Sequence, residues 1–248
     1  MALVCAASKG LGRASALALA RDGVRVAICS RGGKALHNAA AAIESAGGEV
    51  LAIEADLRRA ADIARAIEAT VAKFGGLDIL VTNTGGPPSG PFMSIDETAW
   101  KDAIDSLLLS VVRLCRAAIP HMQARGGGRI INVTTVGGKA PAARSLPTSM
   151  SRAAGINLTK SLAHEYAPDR ILVNTICLGL VKSAQHERRA KGDLDAYYRE
   201  LSEKRKLPLG RFGEAHEFAD LVAFLASERA AYITGTAINF DGGITAAV

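Results

Sequence analysis

A glycine-rich turn near the start of the chain carries residue types that could bind phosphate. After a short apolar run and before a helical pattern, the sequence reads Cys5-Ala6-Ala7-Ser8-Lys9-Gly10-Leu11-Gly12. Glycines at such a turn let backbone N–H groups approach a pyrophosphate, and the N-terminus of the helix adds partial positive charge. Glycines near a helix start can also serve helix–strand packing, so the motif alone is weak evidence. Its position after the first apolar run favours a dinucleotide site formed by Ser8, Lys9, Gly10, Leu11 and Gly12.

The residues after the second predicted strand bear on which dinucleotide would bind. A carboxylate there would accept hydrogen bonds from the hydroxyls of the adenosine ribose and would repel a 2′-phosphate. The chain instead has Ser30 and Arg31 at this place. Arg31, together with Lys9, could neutralise a 2′-phosphate, so the sequence favours NADP(H) over NAD(H) as cofactor. The alternative is that both cations are simply solvated surface residues.

Apolar runs rich in β-branched residues alternate with longer helical patterns along the chain. Strands are predicted at residues 2–5, 24–28, 50–53, 77–81, 129–133, 172–176 and 237–240, and helices at 10–22, 34–46, 58–74, 98–124, 147–166 and 215–226. Several strand runs lack apolar–polar alternation, which is typical of strands covered on both faces. The pattern predicts an α/β fold, a single Rossmann-like, doubly wound domain with a seven-stranded parallel sheet and helices on both faces.

One long segment interrupts the alternation of strands and helices. Residues 182–208 are polar and charged. Long excursions of this kind are often lids over a site. Because no Pro/Gly/Ser-rich linker divides the chain, we interpret residues 1–248 as one domain with a substrate lid at about 182–208.

Composition argues against several classes of function. The net charge is +6, but the basic residues are scattered and aromatic residues make up 4% of the chain, which disfavours nucleic-acid binding. No run approaches the ~18 apolar residues of a membrane span and the N-terminus lacks the pattern of a secretion signal, so we expect a cytoplasmic protein without a membrane segment. The four cysteines have no paired spacing, which disfavours a metal site and predicts reduced, buried thiols.

Several short motifs are distributed over nearly the whole chain. They are Ser8-Lys9-Gly10-Leu11-Gly12, Asp56-Leu57, Asn83-Thr84-Gly85, and Gly235 with Asp241-Gly242-Gly243. Together these motifs resemble those of the short-chain dehydrogenase/reductase family. Two further segments are most similar to the 3-oxoacyl-(acyl-carrier-protein) reductases of that family, namely Pro208-Leu209-Gly210-Arg211-Phe212-Gly213, and Phe224-Leu225-Ala226-Ser227 followed by Tyr232-Ile233-Thr234-Gly235.

The resemblance implies roles for residues beyond the glycine-rich turn. It places the adenine between Asp56 and Leu57, and it places the nicotinamide near Gly179 and Ser183. Two further residues, Asn83 and Gly85, are implied to support the central strand beside the cofactor. The resemblance also implies a carbonyl or hydroxyl substrate, such as a 3-oxoacyl thioester, and a homodimer or homotetramer formed through helices 98–124 and 147–166.

Two cofactor positions depart from the pattern of the family. Ala6 replaces the first glycine of the turn, and Leu178 replaces the proline of a Pro-Gly pair. A methyl group at position 6 is tolerated where φ is negative and is costly where φ is positive. These two residues therefore bear on whether the turn still accepts a dinucleotide.

The catalytic positions of the family depart further. Ketone reduction in the family uses a tyrosine as proton donor, a lysine beside it, a serine that holds the oxygen and an asparagine that organises water. The resemblance places these roles on Thr148, Arg152, Thr135 and Leu107. A threonine hydroxyl is a far weaker acid than a phenol, whose pKa is about 10. Arginine keeps the positive charge of lysine but does not take part in proton transfer.

Two functions are compatible with these residues. The first is an NADP(H)-dependent oxidoreductase with weak or atypical catalysis, in which Thr135, Thr148 and Arg152 polarise a carbonyl group. The alternative is a catalytically inactive, nucleotide-binding or regulatory protein that keeps the fold. A different reaction that uses His186 of the lid as an acid has no further support in the sequence.

Overall fold

The computed structural model describes residues 1–87, 89–187, 190 and 192–247 of the chain. Its centre is one sheet of seven parallel strands. The strands are β1 (Ala2–Cys5), β2 (Val26–Ser30), β3 (Val50–Glu54), β4 (Ile79–Thr82), β5 (Gly128–Thr135), β6 (Ile171–Leu178) and β7 (Ala237–Phe240). Their spatial order is β3-β2-β1-β4-β5-β6-β7, which confirms the predicted doubly wound parallel sheet.

Helices connect the strands and cover both faces of the sheet. They are α1 (Gly10–Arg21), α2 (Lys34–Ser45), α3 (Ala60–Phe74), α4 (Glu97–Ile104), α5 (Ser110–Ala124), α6 (Thr148–Tyr166), α7 (Ala184–Glu187), α8 (Leu194–Lys204) and α9 (Ala215–Ala226). Apolar residues of α1, α2 and α9 pack on one face, and those of α3, α5 and α6 pack on the other. Within the described ranges, no helix is long and apolar enough to cross a membrane.

Some predicted boundaries need correction. The predicted helix 98–124 is in fact α4 and α5 joined by a π-helical segment, Asp105–Leu109. A π turn holds one more residue than an α turn, so it changes which side chains face the sheet, and apolar periodicity does not reveal it. The strands predicted to start at Val24 and Leu77 begin two residues later, because these apolar residues pack in the core ahead of the hydrogen-bonded ladder.

Successive residues of the central strands enter different cores. In β1, Leu3 and Cys5 belong to the cluster on the α3 and α5 face, whereas Ala2 and Val4 belong to the cluster on the α1 and α9 face. All four side chains are fully buried. This burial on both faces explains why the strand sequences show no apolar–polar alternation.

The four cysteines occupy this interior as well. All of them are buried and free, as the sequence predicted. Burial raises the pKa of the Cys115 thiol to about 12, so this side chain stays a neutral thiol at physiological pH. Among the residues that the structure describes, no group of three or more His, Cys, Asp and Glu side chains could hold a metal ion.

A chain of buried hydrogen bonds fixes α6 against the middle of the sheet. The Thr82 hydroxyl of β4 donates to Asn132 Oδ1 of β5 at 2.7 Å, and Asn132 Nδ2 donates to the Thr159 hydroxyl of α6 at 2.9 Å. Thr159 in turn donates to the Gly155 carbonyl at 2.9 Å. Because all these polar groups are away from water, each depends on its partner.

Residues 180–213 form an excursion that is closed at its base by main-chain pairing. Gly213 N donates to Leu180 O at 3.0 Å, and Lys182 N donates to Gly213 O at 2.9 Å. Helices α7 and α8 lie inside this excursion, which has a small core of Tyr198, Leu207 and Phe212. The predicted lid at 182–208 falls in this segment, although its residues 188, 189 and 191 lie outside the described part of the chain, and its function as a lid stays a prediction.

The Asn132 hydrogen bonds give a first prediction. Replacing Thr159→Val keeps the shape of the side chain but leaves Asn132 Nδ2 buried without its acceptor. We expect the free energy of unfolding to fall by about 1–3 kcal/mol, measured by urea denaturation. The matched control is Thr98→Val on the exposed side of α4, which should change it by less than about 0.5 kcal/mol. An equal loss of stability in Thr159→Val and Thr98→Val would contradict a stabilising role for the hydrogen bond between Asn132 and Thr159.

Candidate functional site

The glycine-rich turn joins β1 to α1 and is tightly wound. Ala6 has a φ of +48°, in the region that L-residues other than glycine seldom adopt. A Cβ on Gly12 would lie 2.6 Å from the Ala6 carbonyl oxygen, so only glycine fits where α1 packs against the turn. Gly10 also has positive φ, at +54°. The turn therefore keeps a shape in which backbone amides are open, although Ala6 adopts it under strain.

The other residues of this turn line the start of α1. Lys9 is the N-cap of the helix and is exposed, and no side chain caps the first N–H groups. Leu11 is half-buried and packs on the core beside β1. Ser8 is half-buried at the mouth of the turn. The uncapped amides and the exposed cation make this helix N-terminus suitable for an anion.

The loop after β2 carries a cation and meets a carboxylate from the neighbouring strand. Arg31 is exposed and forms no ion pair within the described part of the chain. Glu54, the last residue of β3, accepts a hydrogen bond from Gly33 N at 3.3 Å. It reaches this loop because Ser30 and Glu54 are register partners of adjacent strands. No sequence motif marks Glu54, because its contact with this loop arises from the pairing of β2 with β3.

Asp56, at the predicted adenine site, is held by its neighbour Arg58. The guanidinium Nη2 of Arg58 lies 2.5 Å from Asp56 Oδ2, and Arg58 Nε donates to Asp56 Oδ1 at 3.0 Å. Hydrogen bonding from Arg58 lowers the pKa of Asp56 to about 2, so the carboxylate is ionised at physiological pH. Leu57 next to it packs against the core. Arg58 is a second residue that the motif search did not find.

Residues to which the resemblance assigns catalytic roles lie near one another at the carboxyl edge of the sheet. Thr148 is the first residue of α6, and Leu107 lies in the π-helical segment. A Cβ built on Gly86 would lie 3.8 Å from both Thr148 Cγ2 and Leu107 Cδ2, so these side chains border the same space. A Cβ built on Gly137 would lie 3.4 Å from Thr135 Oγ1 and 3.9 Å from Ser149 Cβ, so the end of β5 is close to the first turn of α6.

Arg152 is buried one helical turn beyond Thr148. Its Nη1 donates to Val133 O at 2.7 Å and its Nη2 donates to Thr84 O at 2.9 Å, so the side chain joins α6 to β5 and to the loop after β4. Arg152 Nε has no hydrogen-bond partner among the described residues. Burial lowers the pKa of Arg152 to about 10, which leaves the group charged at neutral pH. Arg152 thus supplies a fixed positive charge inside the protein.

The loop after β4 reaches across to the start of α6. Asn83 N donates to Val81 O at 3.1 Å, and Gly85 is exposed. Further along, Gly90 N donates to Leu146 O at 3.2 Å. Ser89 beside it donates from its hydroxyl to Thr148 Oγ1 at 3.2 Å. Sequence motifs did not single out Ser89, because the contact depends on how this loop folds back.

The end of β6 contributes the remaining predicted residues. Gly179 N donates to Phe240 O at 3.0 Å, and a Cβ on Gly179 would lie 2.5 Å from Asp241 Cβ. Position 179 therefore tolerates only glycine. Ser183 lies just beyond and its carbonyl accepts hydrogen bonds from His186 N and Glu187 N, which starts α7. Both residues sit where the excursion leaves the sheet.

His186 packs within the excursion itself. Its ring lies edge-on to Phe212 with centroids 5.0 Å apart, and its Nδ1 is 3.2 Å from the Tyr197 hydroxyl. None of these contacts involves Thr135, Thr148 or Arg152. These two contacts give no support to the hypothesis that His186 acts as an acid in catalysis.

Comparisons with known proteins extend over nearly the whole chain. The family model described as enoyl-(acyl carrier protein) reductase matches residues 5–245. The chain is 37% identical over 246 residues to the 3-oxoacyl-[acyl-carrier-protein] reductase FabG of Staphylococcus aureus, covering 98% of this chain and 97% of the relative. It is 34% identical over 244 residues to the human dehydrogenase/reductase SDR family member 4, covering 98% and 86%.

Solved structures show the same architecture. An NADPH-bound short-chain oxidoreductase from Pseudomonas aeruginosa, described as containing an atypical catalytic center, has a TM-score of 0.95 at 32% identity, covering 100% of this chain and 97% of that one. The L-sorbose reductase of Gluconobacter frateurii, complexed with NADPH and L-sorbose, has a TM-score of 0.93 at 30% identity, covering 100% and 97%. Both are similar to this chain over its full length.

The strain at Ala6 gives a second prediction. Replacing Ala6→Gly removes a positive-φ penalty of about 1–2 kcal/mol and adds an unfolded-state entropy cost of about 0.4–1 kcal/mol. We expect the free energy of unfolding to rise by up to about 1 kcal/mol in chemical denaturation. The control Ala7→Gly removes a fully buried methyl group from the same turn and should lower it. If Ala6→Gly lowered the free energy of unfolding as much as Ala7→Gly does, the proposed backbone strain at Ala6 would be refuted.

Proposed function

Because the chain belongs to the short-chain dehydrogenase/reductase family, we propose that it is an NADP(H)-dependent oxidoreductase that interconverts a carbonyl and a hydroxyl group with an atypical catalytic centre. The family membership confirms the resemblance stated from the motifs. The observation that carries the proposal is the gathering of Thr135, Thr148 and the buried Arg152 at the carboxyl edge of β4 and β5. This is the edge at which open parallel sheets bind their ligands.

The shape of the turn after β1 fits the pyrophosphate of a dinucleotide. Because Gly12 lies close to Ala6, the backbone amides of the turn and the N-terminus of α1 stay open. The residues that would bind the pyrophosphate there are Ser8, Lys9, Gly10, Leu11 and Gly12. Arg31 would hold the 2′-phosphate. Asp56 and Leu57 would flank the adenine. Asn83 and Gly85 would support the central strand beside the cofactor, and Gly179 and Ser183 would lie near the nicotinamide. When bound, NADP(H) supplies or accepts a hydride.

The chain's own residues would act on the carbonyl oxygen. The hydroxyl groups of Thr135 and Thr148 can donate hydrogen bonds to that oxygen as negative charge develops on it. The guanidinium of Arg152 is fixed in a low-dielectric interior by Val133 and Thr84, so it stabilises this charge without reorganising. Leu107 offers no polar group to organise water. We expect a slow reductase, since no group of low pKa touches the oxygen.

The substrate class and the assembly follow from the relatives. We propose that the substrate is a carbonyl compound, either a small molecule or an acyl thioester. The 3-oxoacyl thioesters are the leading candidates, because the relative with 37% identity is a 3-oxoacyl-[acyl-carrier-protein] reductase. We also propose a homo-oligomer. A groove of about 280 Å³ runs between α5 and α6 and includes Cys115, Ile119, Leu158 and Leu162. These are the helices through which the resemblance implies that a second copy packs.

A non-catalytic nucleotide-binding protein is the second candidate. The observation in its favour is that the terminal nitrogens of Arg152 donate to the main-chain carbonyls of Val133 and Thr84. In that case Arg152 would be a structural connection between α6 and the sheet. The two candidates differ in one measurable property, which is turnover of a carbonyl substrate in the presence of bound NADPH.

The proposal predicts an activity that depends on the two threonines. Purified protein should oxidise NADPH in the presence of at least one compound from a panel of ketones and 3-oxoacyl thioesters. We expect Thr148→Val and Thr135→Val each to lower kcat by roughly 10²-fold, since each loses one donor to the reacting oxygen. Thr98→Val on the exposed side of α4 should leave kcat unchanged.

One outcome would favour the second candidate. Tight binding of NADPH without turnover of any compound in the panel would contradict the reductase and support a nucleotide-binding role. Absence of NADPH binding would contradict both candidates.

The loop after β2 predicts how cofactors are distinguished. Arg31→Ala should weaken NADPH binding roughly 10-fold, about 1.4 kcal/mol, and change NADH binding little, because only NADPH carries the 2′-phosphate. Glu54→Gln should strengthen NADPH binding a few-fold by removing the carboxylate that contacts this loop from the end of β3. Fluorescence titration at constant ionic strength measures both. The control Arg21→Ala, at the far end of α1, changes the net charge equally and should affect neither cofactor.

A further inference from the structure

We propose that Ser89 is a positioning residue that connects the Thr148 hydroxyl to solvent protons. The inference rests on the proposed reductase function and deepens it, because Thr148 by itself has no way to regain a proton that it gives away. The observation behind it is the hydrogen bond from Ser89 Oγ to Thr148 Oγ1, at 3.2 Å. Ser89 belongs to the loop after β4 and lies outside the positions that the family motifs identify.

The backbone holds Ser89 at this distance independently of its side chain. The next residue, Gly90, donates its N–H to Leu146 O at 3.2 Å in an isolated antiparallel bridge. Leu146 precedes Thr148 by two residues. The two loops are therefore tied together immediately beside the pair of hydroxyl groups, and loss of the Ser89 hydroxyl leaves this tie in place.

Exposure changes in order along the three polar groups. Ser89 is exposed, Thr148 is half-buried and Arg152 is buried. Thr148 and Arg152 are one turn apart on α6, so their side chains lie on the same face of the helix. From solvent to interior, the three groups are therefore the Ser89 hydroxyl in contact with water, the Thr148 hydroxyl beside the proposed substrate space, and the fixed Arg152 cation.

The direction of the hydrogen bond leaves the proton of Thr148 available. Since Ser89 donates to Thr148 Oγ1, the O–H of Thr148 can point to another acceptor. Thr148 borders the space next to Gly86, where a Cβ would lie 3.9 Å from its Oγ1. A carbonyl oxygen in that space would accept this O–H.

A relay lets Thr148 give up its proton without becoming an alkoxide, although neither alcohol is itself a strong acid. With the hydride that bound NADPH would supply, the carbonyl carbon gains its C–H bond and the carbonyl electron pair moves onto oxygen. The Thr148 O–H bond breaks as the new O–H bond forms on the substrate, while Ser89 transfers its own proton to Thr148 Oγ1. In the same step a hydronium ion or buffer acid of the solvent protonates Ser89 Oγ, which is exposed. Each hydroxyl ends as it began, so the net change is one hydride and one proton added to the carbonyl, and no free threonine or serine alkoxide forms.

A purely structural role for Ser89 gives different expectations. If the hydroxyl only fixed the loop, its removal would change substrate affinity and thermal stability rather than the proton-transfer step. The tie between Gly90 and Leu146 should prevent such a change. The matched control is Ser94→Ala in the same loop, because the Ser94 hydroxyl donates within its own turn to Pro91 O at 2.8 Å.

The experiment compares full-length wild-type protein with Ser89→Ala, Ser89→Thr and Ser94→Ala. It measures kcat, KM, the NADPH dissociation constant and the dependence of kcat on the deuterium content of the solvent. We expect Ser89→Ala to lower kcat about 10-fold with KM and NADPH binding unchanged, since Thr148 Oγ1 loses the donor that returns its proton. A curved deuterium dependence, which indicates two protons in transfer, should become linear. Ser89→Thr should restore both, and Ser94→Ala should match wild type.

The outcomes separate this inference from the function on which it rests. Active wild-type protein with an unaffected Ser89→Ala variant, or with a lower kcat and an unchanged deuterium dependence, would overturn the relay and leave the reductase in place. Wild-type protein that binds NADPH and reduces no carbonyl compound would overturn both. A selective loss of kcat that Ser89→Thr restores would establish the relay.

Discussion

Parallel pairing brings the carboxyl ends of all seven strands to one edge of the sheet. Every loop that follows a strand therefore reaches the same crevice, and residues far apart in the chain become neighbours there. The glycine-rich turn after β1, the loop of Arg31 after β2 and the hydroxyl groups of Thr135 and Thr148 all depend on this arrangement. Burial of the sheet on both faces in turn makes the crevice rigid, because the strands cannot shift without opening two cores.

Within that frame, the position of α6 depends on polar groups that are buried. Thr159 is fixed by Asn132, and Arg152 is fixed by carbonyl groups of β5 and of the loop after β4. A buried guanidinium without a carboxylate partner is costly, and its pKa is lowered for that reason. This charge lies one helical turn from Thr148 on α6.

The cofactor end of the crevice combines favourable and unfavourable features. Gly12 leaves room for the close approach of the turn to α1, but Ala6 adopts its positive φ under strain. In the proposed site, Arg31 would attract a 2′-phosphate, whereas the carboxylate of Glu54, at the end of β3 beside the same loop, would repel one. The balance between Arg31 and Glu54 would then set how strongly the protein prefers NADP(H) over NAD(H).

The sequence by itself determined the class of fold and the family, because strands buried on both faces and glycines that must remain glycine leave local patterns. The assignment of catalytic positions to Thr148 and Arg152 rests on the resemblance of motifs and stays a prediction. The sequence did not reveal the π-helical segment, the carboxylate of Glu54 beside Gly33, or the hydroxyl of Ser89 on Thr148. Only the tertiary structure decided these three features. Each depends on how segments of the chain pack together, and such packing leaves no periodic or compositional pattern in the sequence.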